Sequence, residues 1–104
     1  MDKTNKDLII VGAGGMGRKL FPFLRALNAD NRWHIKGFID DDLQALEGVK
    51  CDLSIIGKIA DWVPEKTQLF VMGISNPETK KNIATELLSR GAKFETIVSK
   101  NTIL

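Results

Sequence analysis

The stretch Leu8 to Arg18, Leu-Ile-Ile-Val-Gly-Ala-Gly-Gly-Met-Gly-Arg, limits the fold of this chain more than any other part of it. Its apolar, β-branched start is the pattern of a buried parallel strand. Gly12, Gly14 and Gly17 follow at the G-x-G-x-x-G spacing, which predicts a sharp corner from that strand into a helix. Glycine is needed at such a corner for positive φ, for close approach of a phosphate to the backbone, and, at the last position, for close packing of helix on strand. Gly15 adds further freedom. The first amides of the helix have no partners inside it and carry the positive end of its dipole, so together they attract a diphosphate. Any tight strand-to-helix turn can use glycines, so this reading draws its weight from what flanks the motif.

After the glycines, Met16, Leu20, Phe23, Leu24 and Leu27 recur at helical spacing and are expected to face the sheet, with Arg18, Lys19 and Arg25 on the other side. Pro22 cannot donate to the carbonyl of Arg18, so a bend or loosened turn is expected there. Arg18 is near enough to the helix start to reach a bound phosphate, or is simply a solvated charge. Asn28 to Arg32 reads as a polar turn and Trp33 to Ile39 as a second strand, with His34 and Lys36 on its outer face. Asp40, Asp41 and Asp42 then stand at its end. An acidic residue about 20 positions beyond the glycines accepts hydrogen bonds from ribose hydroxyls in dinucleotide-binding folds, and Asp40 fits that distance. Asp41 is placed to meet the imide N–H of a uracil or thymine. The plainer alternative is an aspartate turn that ends a strand. A metal site is a weaker idea, as no other oxygen ligands lie nearby.

From Leu43 to Trp62 the pattern is irregular, broken by Gly48 and Gly57, with a short extended segment around Leu53, Ile55 and Ile56 and a single helical turn from Ile59 to Val63. Gln68 to Met72 reads as a third core strand beside the first, ended by Gly73. Asn76 and Pro77 predict an N-cap and first helical residue, and Glu78 to Arg90 a helix with Ile83, Ala84, Leu87 and Leu88 inward, closed by Gly91. Lys80 and Lys81 read as solvated helix charges. Phe94 to Val98 supplies a fourth strand. This order predicts an α/β fold: a small, Rossmann-like, three-layer domain with a mainly parallel sheet of about four strands, right-handed connections and a crevice at the carboxyl ends of the strands. Gly12 to Gly17, Asp40, Asp41 and Gly73 to Asn76 are expected to line that crevice.

Composition narrows the classes. With 104 residues, 43% of them hydrophobic, the chain suits one small domain and leaves no room for a second. A net charge of +2 suits a small anionic ligand and falls short of the basic stripe expected for nucleic-acid recognition. The single cysteine, Cys51, excludes an internal disulfide and supplies no metal cluster. No apolar run is long enough to cross a bilayer, so no membrane partner is expected, and the reading is of a soluble, cytoplasmic protein.

Four blocks, Leu-Ile-Ile-Val-Gly-Ala-Gly-Gly-Met-Gly, Gly-Phe-Ile-Asp-Asp-Asp, Val-Met-Gly-Ile-Ser-Asn-Pro and Gly-Ala-Lys-Phe-Glu-Thr-Ile-Val-Ser, make the chain from Leu8 onward resemble the N-terminal domain of bacterial sugar acetyltransferases. These are the sialic acid O-acetyltransferase and UDP-bacillosamine N-acetyltransferase type. Residues 1–7, polar and without apolar periodicity, read as a flexible leader, and the resemblance implies a nucleotide-sugar-binding domain over residues 8–104. In it, Gly12, Gly14 and Gly15 would meet the diphosphate, with Gly17 in the same loop, Asp40 and Asp41 would meet the uridine, and Gly73 with Asn76 would close the pocket.

The same resemblance implies that a left-handed β-helix of hexapeptide repeats, absent here, binds acetyl-CoA, carries the catalytic histidine and trimerises the parent enzyme, while the isolated domain is a monomer. Ser99 and Lys100 stand where the family commonly has a histidine-proline pair, and the segment from Gly73 to Asn76 is longer than in some members. The expectation is therefore a recognition domain for a nucleotide-activated sugar, with no catalytic residue and no metal of its own. Two other readings stay open: a NAD-binding fragment of an oxidoreductase, and a stand-alone module that senses a nucleotide or CoA compound.

Overall fold

The computed structural model describes residues 6–28 and 32–95. Strand β1 (Lys6–Val11) leads through the glycine corner into helix α1 (Gly15–Leu27), followed by β2 (Trp33–Ile39), β3 (Ile55–Gly57), β4 (Gln68–Met72) and helix α2 (Pro77–Ser89). The strands form one sheet in the order β3-β2-β1-β4, and every pairing in it is parallel. β1 is therefore central, which explains why its apolar run is continuous: Leu8, Ile9, Ile10 and Val11 are all 0% exposed.

Alternate residues of β1 feed the two faces. Leu8 and Ile10 join Leu20 and Leu24 of α1, with Phe38 and Val71, on one side of the sheet. Ile9 and Val11 join Ile39, Phe70 and Leu87 of α2 on the other. A helix on each face of a parallel sheet makes the three-layer, Rossmann-like arrangement expected from the order of elements. Phe23 and Leu27 pack half-buried against the α1-side cluster. α2 is less deeply seated: Leu87 is its one buried residue, Ile83 and Ala84 are half-buried, and Leu88, expected to point inward, is 55% exposed. The helix rests on the sheet through a narrow stripe, and Leu88 lies just past its edge.

Several boundaries differ from expectation for identifiable reasons. β1 starts at Lys6, inside the expected leader, because Asp7 pairs with both His34 and Gln68 and donates its amide to Thr67. The short segment around Ile55 is a true edge strand, held by the parallel pairing of Phe38 with Ile55 and of Ile39 with Gly57. The turn expected over residues 59–63 is present, with the amides of Asp61 and Trp62 donating to the carbonyls of Lys58 and Ile59. Phe94 makes a parallel bridge to Phe70 on the far side of β4, and residues 96–98 of the expected last strand lie outside the described residues. So do residues 1–5 of the leader, residues 29–31 of the first polar turn, and Ser99 and Lys100.

Candidate functional site

The five glycines singled out around the first corner and β4 divide into two groups. Gly12 has φ +99°, and a Cβ there would stand 2.7 Å from the Ile74 side chain and 3.1 Å from the Gly73 carbonyl oxygen. A Cβ on Gly17 would lie 1.9 Å from the carbonyl oxygen of Gly12. One on Gly73 would lie 2.8 Å from the Cα of Gly17. Gly12, Gly17 and Gly73 are thus a backbone-to-backbone contact that locks α1, β1 and β4 together, and they are needed for packing whatever the corner binds. Gly14 and Gly15 are the opposite case. They are exposed, a Cβ on Gly14 would meet nothing within 4 Å, and one on Gly15 would meet only the end of the Arg18 side chain at 3.9 Å.

This open side is the head of α1. Gly14 is the N-cap residue and has no side chain to accept from the first amides of the helix; the first backbone bond that closes the helix runs from the Arg18 amide to the Gly14 carbonyl at 2.9 Å. No acidic residue stands in the first turn. The first-turn amides have no side-chain cap and no acidic residue of their own helix beside them, the arrangement that favours an anion.

Asp40 sits half-buried at the end of β2 and reaches back to the same corner. Its Oδ2 accepts the amide of Ala13 at 2.8 Å, and its Oδ1 accepts the amide of Asp42 at 2.8 Å. Ala13 is 0% exposed, so this carboxylate satisfies a buried donor that helix and sheet leave unpaired. Each oxygen keeps a second lone pair. Asp41 is exposed, and its Oδ1 accepts the amide of Ala60 at 2.9 Å, which ties the end of β2 to the turn after β3.

The opposite wall comes from β4 and α2. Asn76 caps α2, its side-chain oxygen accepting the Thr79 amide at 3.0 Å, with Pro77 at the first helical position as the sequence predicts. The side-chain amide nitrogen of Asn76 keeps its two donors. Gly12, Gly14, Gly15, Asp40, Asp41, Gly73 and Asn76 all line one crevice of about 370 Å³ at the carboxyl ends of the strands. Gly17, also expected there, is buried beneath it in the glycine contact.

Ile74 and Ser75, within the expected Gly73 to Asn76 segment, line the crevice too, with an apolar side chain and a hydroxyl. Ile59, Ile83 and Thr79 escaped sequence reasoning; the first two supply apolar surface and the third a hydroxyl. Ile59 is 4% exposed and belongs to an irregular segment without periodicity, so nothing in its neighbourhood marked it as a wall residue. Arg90 supports that wall from behind: its Nη1 donates to the carbonyls of Ile59 at 2.8 Å and Trp62 at 3.2 Å, and its other terminal nitrogen pairs with Glu86.

Three residues weighed from the sequence lie elsewhere. His34 is exposed at the other end of the strands, with Nδ1 3.2 Å from Asp7 Oδ1. Cys51 is half-buried beside α1. Arg18 lines a separate groove, although its Nε donates to the Gly14 carbonyl at 3.3 Å. Among the described residues, no group of three or more His, Cys, Asp or Glu side chains is arranged to hold a metal ion, and no helix is long and apolar enough to cross a membrane.

A four-stranded parallel sheet covered by a helix on each face, with its glycine corner and strand-end carboxylates around one crevice, defines a small Rossmann-like domain. The chain belongs to the PglD N-terminal domain family, whose model matches residues 7–87, and so is an N-terminal domain of the sugar acetyltransferase type. No curated protein matches it.

Proposed function

We propose that this domain recognises a nucleotide-activated sugar of the UDP-sugar type on behalf of a bacterial sugar O- or N-acetyltransferase, and does not itself transfer the acetyl group. The observation that carries this reading is the contrast among the glycines. Three are shut by packing, while Gly14 and Gly15 stand open at an uncapped helix start inside the crevice. In this reading the diphosphate lies on the amides at the head of α1. The nucleoside lies toward Asp40 and Asp41, whose remaining lone pairs accept from the N–H and O–H groups of uridine. Asn76 donates from the facing wall, and Ile59, Ile74 and Ile83 cover the apolar faces of the bound molecule.

The crevice-lining residues include no histidine and no cysteine, so this wall offers neither an imidazole base nor a thiol. Acetyl transfer, and the acetyl-CoA it consumes, are assigned in this proposal to a further domain of a trimeric parent enzyme. Asp40 would serve a dinucleotide ribose as well as a uridine, since each oxygen keeps a lone pair beside the amides of Ala13 and Asp42; the dinucleotide alternative is less favoured because the family model matching residues 7–87 is that of the PglD N-terminal domain. Calorimetric titration of the domain with UDP-N-acetylglucosamine, NAD and CoA tests the reading. Binding of the UDP-sugar with little response to the other two is expected. Tight NAD binding without a response to the UDP-sugar would overturn it.

A further inference from the structure

We infer that the groove between α1 and residues 49–52 is a docking surface for another protein chain, and that it takes a short segment in which acidic residues flank an apolar one. The inference is independent of what the crevice binds, because no residue lines both.

The groove, of about 620 Å³, has one wall made by a single stripe of α1. Arg18, Phe21, Pro22 and Arg25 stand at i, i+3, i+4 and i+7 of that helix, and so share a face of it. The two arginines begin and end the stripe, about 10 Å apart along the helix axis. Between them Phe21 is half-buried and braced edge-on by Phe38, at 6.4 Å between ring centroids, while Pro22 is exposed. The wall therefore presents charge, apolar surface and charge in succession.

The charge is of one sign. Arg18, Arg25 and Lys50 line the groove against one carboxylate, Asp52, which pairs with Arg25 at 3.4 Å. That pair lies in solvent, with its side chains 60% and 85% exposed, so it is weak and an incoming carboxylate can exchange for Asp52. Among the described residues, no carboxylate lies within ion-pairing distance of Arg18 or Lys50. An acidic partner is the one whose charge complements this surface.

The backbone around the groove separates a peptide from a small anion. Pro22 has no N–H, so the carbonyl of Arg18, one turn earlier, lacks its helical donor and can accept an N–H from outside the helix. On the facing wall, the main-chain groups of Lys50, Cys51 and Asp52 make no hydrogen bond to any other described residue. Both walls thus keep main-chain capacity that a peptide, with its own alternating donors and acceptors, can meet. A small anion answers the cations alone; an acidic segment with an apolar residue at its centre answers the cations, the Phe21–Pro22 surface and the backbone together.

The test is an NMR titration of the whole chain with the peptide acetyl-Glu-Glu-Leu-Glu-Glu-amide, following backbone amide shifts. Saturable shifts are expected at Arg18, Phe21, Lys50 and Cys51, with the shifts fading as salt is raised. The peptide with Gln for each Glu is expected to bind at least tenfold more weakly, the size of a charge-assisted hydrogen bond, and the one with Gly for Leu also more weakly than the parent peptide. Lys50→Glu, at an exposed position, is expected to weaken the acidic peptide about tenfold. Equal binding of the Glu and Gln peptides, shifts confined to residues outside the groove, or an affinity unchanged in Lys50→Glu would overturn the inference. So would citrate binding at the groove as tightly as the peptide, which would make it a site for small anions.

Discussion

The carbonyl oxygen of Gly12 lies 1.9 Å from the point where a Cβ on Gly17 would be built, so strand end and helix start touch through backbone alone. A methyl group there cannot be absorbed by a rotamer change, because its neighbour is a peptide oxygen. Gly17→Ala is therefore expected to destabilise the domain by about 3 kcal/mol, the upper part of the range for overpacking. Gly15→Ala, whose new Cβ meets only the tip of Arg18, should stay within about 0.5 kcal/mol of the parent in urea unfolding. The same harmless methyl stands where a diphosphate is proposed to lie, so Gly15→Ala should unfold normally and bind UDP-sugar poorly. Equal stability losses in the two variants would contradict the packing described.

Asp40 has a structural duty as well as the proposed binding one. Asp40→Ala leaves the buried Ala13 amide without an acceptor and should cost about 1–3 kcal/mol of folding stability, read from the denaturation midpoint. Asp40→Asn keeps one of the two acceptor oxygens and is expected to fall between the parent and the alanine variant. UDP-sugar affinity of the folded Asp40→Ala protein should drop by about 1–3 kcal/mol as well. Unchanged affinity would reduce Asp40 to a corner brace.

Arg90 holds two carbonyls of the turn that carries Ile59 and whose Ala60 amide is accepted by Asp41. Arg90→Met should release that turn, seen as faster hydrogen exchange at the amides of Ala60 and Trp62 while those of β1 stay protected. Arg90→Lys should rescue only in part, since an ammonium group on a flexible stem does not reproduce the planar fork. Exchange at Ala60 identical to that of the parent would show that the turn stands without Arg90.

The rotational setting of α2 yields a direct comparison. Leu87→Ala should cost about 2–5 kcal/mol, whereas Leu88→Ala, at a 55% exposed position, should change stability by no more than about 0.5 kcal/mol. Similar losses at both positions would mean that the helix is turned further toward the sheet than described.

Asn76→Ala removes the acceptor for the Thr79 amide and is expected to lower stability by about 1 kcal/mol, a usual loss for an N-cap. Asn76→Asp preserves the cap and should restore that stability. It also exchanges the two side-chain donors facing the crevice for a negative charge, so it should weaken UDP-sugar binding in spite of the recovered fold. Weakened binding in neither variant would remove Asn76 from the proposed site.

The parts of the fold legible in the sequence were those where one force dominates. Burial on both faces writes β1 and β4 as unbroken apolar runs, and α1 and α2 begin at the glycine corner and at the Asn76-Pro77 cap, both local signals. The gathering of Gly14, Gly15, Asp40, Asp41, Gly73 and Asn76 around one crevice follows from parallel strands ending on the same side. What escaped was decided by contacts distant in sequence. Neither Ile59 nor Arg90 carries a local sign of its place, because the pairing of the Arg90 guanidinium with the Ile59 carbonyl spans the whole of β4 and α2. Likewise, the spacing that marks Gly17 is silent on whether it meets a ligand or the backbone of Gly73; only the third dimension separates the two.

Where Gly12, Gly17 and Gly73 meet, α1, β1 and β4 touch without a side chain of their own between them. Such a joint cannot flex to suit one guest over another. Adaptation falls instead to the irregular stretches on either side of β3, residues 42–54 and 58–62, the second of which meets the site through the hydrogen bond from the Ala60 amide to Asp41. Selection for a new ligand can rewrite those stretches while the proposed phosphate contact is inherited unaltered, so divergence in what such domains hold should concentrate there.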